Sequence, residues 1–157
     1  MMTEISLNVL DVSENSTRAG ASLVTILVTA DTSADKLTIV IADNGCGMTP
    51  EQAAHVTDPF FTTRTTRKVG LGIPFFKYAA ESTGGSFHIE SEPGKGTTVT
   101  AVFGLSHIDR MPLGDMNATI HNLIVYHPDT DFLYTYTYND ASFTLDTRQM
   151  REILGGI

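Results

Sequence analysis

The sequence has little of several features that would assign a protein to a class at once. A single cysteine among 157 residues excludes an internal disulfide and suits a reducing compartment. Lysine and arginine total 10 against 18 acids, and this net charge of -8 argues against a nucleic-acid partner. The chain has no run of about 18 apolar residues and no signal-peptide start, so no membrane span is predicted. We therefore expect a cytoplasmic protein with neither a membrane nor a nucleic acid as partner.

Hydrophobic periodicity predicts three helices and four strands over the first two thirds of the chain. The predicted order is helix 7–19, strands 22–30 and 36–43, helices 50–56 and 71–83, and strands 86–91 and 97–105. Strand neighbours joined by short turns must pair antiparallel. The expected fold is therefore α+β, a two-layer α/β sandwich with a mixed, mostly antiparallel sheet and helices on one face.

The character of the sequence changes near residue 106, so we predict two units, residues 1–105 and a C-terminal extension, residues 106–157. The extension reads as a helix, a β-hairpin turning at residues 139–141 and a short closing helix. Tyr134, Tyr136 and Tyr138 alternate along the first hairpin strand and share one face. That aromatic face predicts either a docking surface or packing against the first unit.

The run DNGCGM, Asp43 to Met48, follows an apolar strand. An acid at the end of such a strand points into a cavity, and Gly45 and Gly47 would let a ligand approach the backbone closely. Taken alone, this pattern is more often an ordinary turn after a core strand.

Upstream, Asp11, Asn15 and Arg18 are spaced to share one helix face. An acid, a carboxamide oxygen and a guanidinium suit a magnesium-bound polyphosphate, since Mg²⁺ prefers hard oxygen ligands and arginine binds phosphate. A solvated polar face is the alternative.

Downstream, Gly70-Leu71-Gly72 opens an apolar helix, and a helix N-terminus preceded by glycine is a site for an anion. A cluster of three cations precedes it: Arg64, Arg67 and Lys68. Positive charge concentrated in an acidic chain indicates a bound anion. A solvated loop with a chance cluster is the alternative.

This set of segments, in this order, together with DPFFTTR (58–64) and GKGTT (94–98), resembles the GHKL ATPase superfamily, and most closely its histidine-kinase catalytic domain. The resemblance covers about residues 5–105 and implies the Bergerat ATP-binding fold. It implies that Asn15 binds Mg²⁺ and that Asp43 bonds the adenine amino group. The other residues it assigns to the ATP site are Gly45 and Gly47 beneath the base, Phe60 and Phe61, Gly70, Leu71 and Gly72 at the lid, and Thr97 on the adenine side.

The chain departs from that family at Asp11, where the ATPases carry glutamate and many histidine kinases carry asparagine. Nothing before residue 5 could form the helical hairpin that carries a phosphorylatable histidine. The resemblance therefore implies a stand-alone catalytic domain that uses ATP and Mg²⁺, with Asp11 and Asn15 as catalytic residues, Arg18 on a phosphate and Arg64 or Arg67 on the γ-phosphate. The expected activity is phosphate transfer to a serine or histidine of a separate protein; an ATP-gated binding switch or a plain ATPase is the alternative.

The run SHIDRMPL, Ser106 to Leu113, resembles the histidine-kinase phosphoacceptor box through His107, Arg110 and Pro112. It lies after the catalytic segment, directly behind a strand, and has no long helical partner. We therefore favour a structural or hinge role for His107 over phosphorylation.

Overall fold

The computed structural model describes residues 4–57 and 72–154 of the chain. The strands, in chain order, are β1 (Leu23–Asp31), β2 (Lys36–Asp43), β3 (Ser86–Glu92), β4 (Gly96–Gly104), β5 (Asp131–Tyr138) and β6 (Ala141–Asp146). The helices are α1 (Ile5–Arg18), α2 (Pro50–Val56), α3 (Gly72–Glu81), α4 (Met116–Tyr126) and α5 (Thr147–Ile153). The predicted elements are therefore present, with boundaries shifted by one or two residues.

The six strands form one sheet in the order β3-β4-β2-β1-β5-β6. Four of the neighbouring pairs are antiparallel, and β1 and β5 are parallel. The predicted mixed, mostly antiparallel sheet is thereby confirmed.

One face of the sheet carries the core because alternate residues of each strand are apolar. Ile26, Ile41 and Val99 lie opposite one another in register across β1, β2 and β4, and each is at most 2 % exposed. Helices α1, α3 and α4 pack against this face, and α1 contacts both α3 and α4. The two-layer arrangement with helices on one face is confirmed.

Helix α1 ends through the backbone geometry of Gly20, which has a φ of 81°. The Gly20 N–H donates to Thr17 and the Ala21 N–H donates to Ser16, so the last carbonyls of the helix are satisfied. This turn fixes where the polar face of α1 stands relative to the end of β2.

The segment after residue 105 joins the same sheet. Strand β5 runs parallel to β1, which places Tyr134 opposite Ile26, and helix α4 packs on α1. Tyr134 is 4 % exposed, whereas Tyr138 is 50 % exposed. The aromatic row is therefore divided: its first residue packs in the core and its last faces solvent.

Candidate functional site

The site is built around the end of β2. Asp43 follows Leu37, Ile39 and Ile41 at alternate positions, so its side chain stands on the helix-covered face of the sheet. In the register of β2 with β4, Asp43 lies opposite Thr97. The acid and the threonine are thus neighbours at one edge of the buried face.

The Asp43 carboxylate is held by two hydrogen bonds. The Ser16 hydroxyl of α1 donates to Oδ2 at 2.7 Å, and the Gly45 backbone N–H donates to Oδ1 at 2.8 Å. Because each carboxylate oxygen has two lone pairs, each can accept one further bond. The side chain is therefore oriented but still able to bind a donor.

The loop after β2 is fixed at three points. The Cys46 N–H donates to the Ala19 carbonyl at 2.9 Å, and the Gly94 N–H donates to the Cys46 carbonyl at 2.7 Å. The Met48 N–H donates to the Ser91 hydroxyl at 2.8 Å. The loop therefore bridges the end of α1 and the turn between β3 and β4.

Glycine is required in this loop by close backbone contacts. A Cβ on Gly45 would lie 2.9 Å from the Cβ of Ala19 and 2.9 Å from its carbonyl oxygen. Gly47 has a φ of 72°, and a Cβ there would overlap the Glu92 carbonyl. Both glycines are thus explained by the packing of the loop itself.

Thr97 belongs to a small hydroxyl pair beside the acid. Its Oγ1 is 2.7 Å from the Oγ of Ser91, and the Ser91 hydroxyl also contacts the Gly96 carbonyl at 3.0 Å. Hydroxyl groups can donate or accept, so this pair can adapt to either kind of ligand atom.

The polar face of α1 carries a second group of predicted residues. The exposed Arg18 donates from Nη1 to Asn15 Oδ1 at 3.0 Å. Asp11 lies one turn earlier and contacts the first residue of α3, since a Cβ on Gly72 would overlap its Oδ2. The carboxylate of Asp11 therefore sits beside the N-terminus of α3, where backbone N–H groups favour negative charge.

Burial raises the pKa of the Asp11 carboxyl above its ordinary value. The positive charge of Arg18 opposes this effect, and the negative charge of Glu14 adds to it. A carboxyl whose pKa moves towards neutrality is a better proton acceptor.

Several predicted residues lie outside the described residues: Phe60, Phe61, Arg64, Arg67, Lys68, Gly70 and Leu71. The other predicted residues form two groups. One group surrounds the end of β2 and consists of Asp43, Gly45, Gly47 and Thr97. The second lies along the polar face of α1 and consists of Asp11, Asn15, Arg18 and Gly72. Within residues 4–57 and 72–154, no group of three His, Cys, Asp or Glu side chains forms a metal site.

Two residues of the site were missed by the sequence analysis. Ser16 lies on the buried stripe of α1 with Val9 and Val12, and Ser91 continues the stripe of Phe87 and Ile89 on β3. A polar residue in an otherwise apolar stripe was the available signal, because a buried hydroxyl needs a partner.

His107 lies in the turn behind β4 and is exposed. Its ring Nδ1 accepts from the Asp109 backbone N–H at 3.0 Å, and the His107 backbone N–H donates to the Gly104 carbonyl at 3.2 Å. These bonds organise the turn.

Residues 1–107 match the family described as histidine kinase-, DNA gyrase B- and HSP90-like ATPase. The chain belongs to this family. It is 33 % identical over 102 residues to the sensor protein SrrB of Staphylococcus aureus, which covers 62 % of the chain. This match covers only 17 % of the length of SrrB. A putative sensor protein of Shewanella frigidimarina is 39 % identical over 70 residues, which cover 44 % of this chain and only 11 % of that protein.

Solved structures share the fold. The N-terminal domain of a DNA repair protein superposes with a TM-score of 0.66 at 14 % identity, covering 92 % of this chain and 53 % of that one. The MutL ATPase domain of Aquifex aeolicus, complexed with ADP, gives 0.54 at 16 % identity, covering 99 % and 70 %. The family match confirms the GHKL assignment, and the solved structures confirm the α+β fold.

Membership of this family supports ATP binding and a histidine-kinase-like type of ATPase domain. Across residues 4–57 and 72–154, none of the helices has the length and apolar character needed to cross a membrane.

Proposed function

We propose that this chain binds ATP with Mg²⁺ and transfers the γ-phosphate to a serine or histidine of a separate protein. The family match supports the ATP site, and the similarity to sensor proteins supports a role in signalling. We assign this activity to the cytoplasm, where ATP is available.

The observation that carries the proposal is the doubly held carboxylate of Asp43. Its oxygens accept from Ser16 and Gly45 and retain lone pairs for an adenine amino group. Thr97 lies opposite it in the sheet, and Gly45 and Gly47 line the loop that would lie beneath the base. An acceptor fixed in this way loses little freedom when the base binds, which favours affinity.

Asn15 is the residue that we assign to Mg²⁺. Its amide oxygen accepts one bond from Arg18 and retains a second lone pair, and Asp11 stands one turn earlier on the same helix face. A hard carboxamide oxygen of this kind fits an ion that keeps most of its waters. When bound, Mg²⁺ would neutralise charge on the phosphates.

Arginines would complete the phosphate end of the site. Arg18 is exposed beside Asn15. Arg64 and Arg67, which lie outside the described residues, remain our assignment for the γ-phosphate. In phosphoryl transfer the protein supplies mainly position and positive charge, so few further groups are needed.

Asp11 would accept a proton from a serine hydroxyl as it attacks. The raised pKa of its carboxyl supports this role. A histidine acceptor can attack as the neutral imidazole and needs this base less. Asp11→Ala would then separate the two acceptors: loss of transfer with ATP binding retained favours serine.

The alternative is an ATPase or ATP-gated switch without phosphate transfer. It is favoured by the fold shared with the MutL ATPase domain over 99 % of this chain. In addition, α4 packs directly on α1, so the C-terminal segment contacts the helix that carries Asn15.

The first experiment tests the ATP site by calorimetry. Asp43→Asn should lower ATP affinity by roughly 1.5–3 kcal/mol, the range for a hydrogen bond to a charged group. Asp140→Asn removes an equal charge from the exposed turn between β5 and β6 and should leave affinity unchanged. Equal ATP affinity in the Asp43 variant and the unmodified chain would remove the proposed adenine contact.

The second experiment separates transfer from hydrolysis. The chain is incubated with γ-labelled ATP and candidate partner proteins, and label on protein is compared with free phosphate. Acid-stable label indicates phosphoserine, and acid-labile label indicates phosphohistidine. Release of free phosphate alone, with every partner tested, would favour the ATPase alternative.

A further inference from the structure

In the part of the chain that the structure describes, the sheet has two edge strands, β3 and β6, and their side chains differ. Strand β3 carries the exposed residues His88, Glu90 and Glu92 and contacts α2. Strand β6 has no charged residue from position 141 to position 145. Charged side chains on an edge strand prevent its free backbone groups from pairing with a further strand. Strand β6 is therefore the edge that can accept another strand.

The hydrogen bonds of β5 determine which backbone groups of β6 face outward. The N–H groups of Asp131 and Asn139 donate to carbonyl groups on the β1 side. Since direction alternates along a strand, the even-numbered residues of β5 form the hydrogen-bonded pairs with β6, and Phe143 lies in one of these pairs. Ser142 and Thr144 therefore direct their N–H and C=O groups away from β5. Both residues are exposed, and β6 is the last strand of the described sheet.

Phe143 places an apolar side chain in the middle of this edge. Its ring packs edge-on against Tyr134, with centroids 6.4 Å apart, yet 55 % of the residue remains exposed. A second aromatic ring directly opposite would cover that surface, and aromatic cross-strand pairs stabilise a sheet.

The charges around β6 favour a second copy of the same strand as its partner. Residues 141–145 are centred on Phe143, so a two-fold axis there pairs uncharged residues only with uncharged residues. Asp146, at the end of β6, accepts hydrogen bonds from Arg148 on both carboxylate oxygens, at 3.0 and 2.9 Å. Two chains of net charge -8 repel each other, and an uncharged edge reduces that repulsion where they meet.

We propose that two copies of this chain associate by antiparallel pairing of β6 with β6, which joins their two sheets across a two-fold axis at Phe143. Ser142 of each copy would exchange backbone hydrogen bonds with Thr144 of the other, and the two Phe143 rings would lie in contact. The paired strands are short, so the dimer is weak and reversible. This association does not depend on the proposed ATP site.

Sedimentation velocity on the full chain, from micromolar to millimolar concentration, tests the association and should show a concentration-dependent dimer. Phe143→Lys brings two like charges opposite each other and should raise the dissociation constant at least about tenfold. Tyr78→Lys makes a matched change at an exposed aromatic residue of α3 and should have no effect. A monomer at every concentration would overturn the proposal and leave β6 as an edge for a strand of a different protein. Equal weakening by the two variants would also contradict it.

Thr144→Pro separates strand pairing from contact between side chains alone. Proline removes an N–H that faces outward and leaves the bonds between β6 and β5 in place, so the dimer should weaken while the monomer stays folded. An unchanged dissociation constant in this variant would show that the β6 backbone does not pair.

Cross-linking tests the position of the two-fold axis. Phe143 would face its copy in a non-hydrogen-bonded pair, where Cα atoms are about 4.5 Å apart, a separation that a disulfide can span. Phe143→Cys is therefore combined with Cys46→Ser, which removes the native thiol, and mild oxidation should yield a covalent dimer on a non-reducing gel. Tyr78→Cys in the same background is the control. No cross-link at position 143, or equal cross-linking at both positions, would contradict the proposed pairing.

Discussion

Ser16 donates a hydrogen bond of 2.7 Å to Asp43, joining helix α1 to the end of strand β2 across 27 residues of sequence. Ser16 is 4 % exposed, so the bond lies where water competes little. It ties the helix that carries Asn15 to the acid proposed to recognise adenine. The Ser16 hydroxyl therefore links the proposed adenine-binding acid to the helix that carries the proposed Mg²⁺ ligand.

We expect Ser16→Ala to weaken ATP binding by roughly 1 kcal/mol, about fivefold, because Asp43 loses one of its two orienting bonds. Calorimetry with ATP measures the change. Ser13→Ala is the matched control: Ser13 is also buried on α1, but its hydroxyl lacks a partner among the described residues, so its loss should not affect ATP. Equal affinities in both variants would show that Ser16 does not position Asp43.

The stability of the free chain should depend on pH through Asp11. Since burial raises the pKa of its carboxyl above the ordinary value, the folded chain holds this proton more tightly than the unfolded chain. The resulting stabilisation is complete below the ordinary pKa and is lost as pH rises through the raised pKa. At neutral pH the charged, half-buried carboxylate is therefore destabilising.

Asp11→Asn should accordingly raise the melting temperature at pH 7, and the gain should shrink as the pH is lowered to about 4. Scanning calorimetry at several pH values measures the difference between the two chains. Asp140→Asn, in the exposed β5–β6 turn, controls for the loss of one negative charge. A melting-temperature gain for Asp11→Asn that is the same at every pH would contradict the assignment to Asp11 titration.

Much of the N-terminal part of the sheet could be predicted from sequence because its signals are local. The apolar alternation of β2 ends at Asp43, so both the strand and the direction of the acid follow from period two. The spacing of Asp11, Asn15 and Arg18 likewise assigns them to one helix face without knowledge of the rest of the fold.

The contacts that complete the site could not be predicted because they depend on how distant elements meet. The Ser16–Asp43 bond requires the rotation of α1 on the sheet, and the Asp11–Gly72 contact requires the approach of α3. Parallel pairing of β5 with β1 is also non-local, since alternation in Tyr134 and its neighbours does not specify a partner strand. The sequence alone therefore did not decide whether the face of Tyr134, Tyr136 and Tyr138 packs against the first unit or forms a docking surface.

Asn15→Ala should abolish magnesium-dependent turnover while leaving adenosine binding nearly intact. The metal would contact the nucleotide only through its phosphates. Loss of Asn15, the proposed protein ligand of the metal, should therefore spare recognition of the base. Turnover and adenosine affinity are measured separately on the same preparation. Asn117→Ala, an exposed asparagine on α4, should change neither. Parallel losses of adenosine and ATP binding would make Asn15 a structural residue instead.

The C-terminal segment is linked to α1 by another hydrogen bond between side chains distant in sequence, like that between Ser16 and Asp43. His127, which follows α4, has its Nε2 2.9 Å from Oε1 of Glu14, and the two side chains are 23 % and 26 % exposed. Glu14 immediately precedes Asn15. Any change that frees α4 from α1 would therefore act next to the proposed metal ligand.

We expect His127→Ala to destabilise the fold by about 1 kcal/mol and to show coupling with Glu14→Ala in a double-mutant cycle, because each change removes the same half-buried hydrogen bond. Urea denaturation measures both quantities. The exposed His88–Glu90 pair, at 3.5 Å, is the matched control and should show no measurable coupling, since water screens it. If the His127 cycle is additive, the contact does not hold the C-terminal segment to α1. If it is coupled, ATP affinity should also fall in His127→Ala, because the turn bearing Glu14 would lose its anchor.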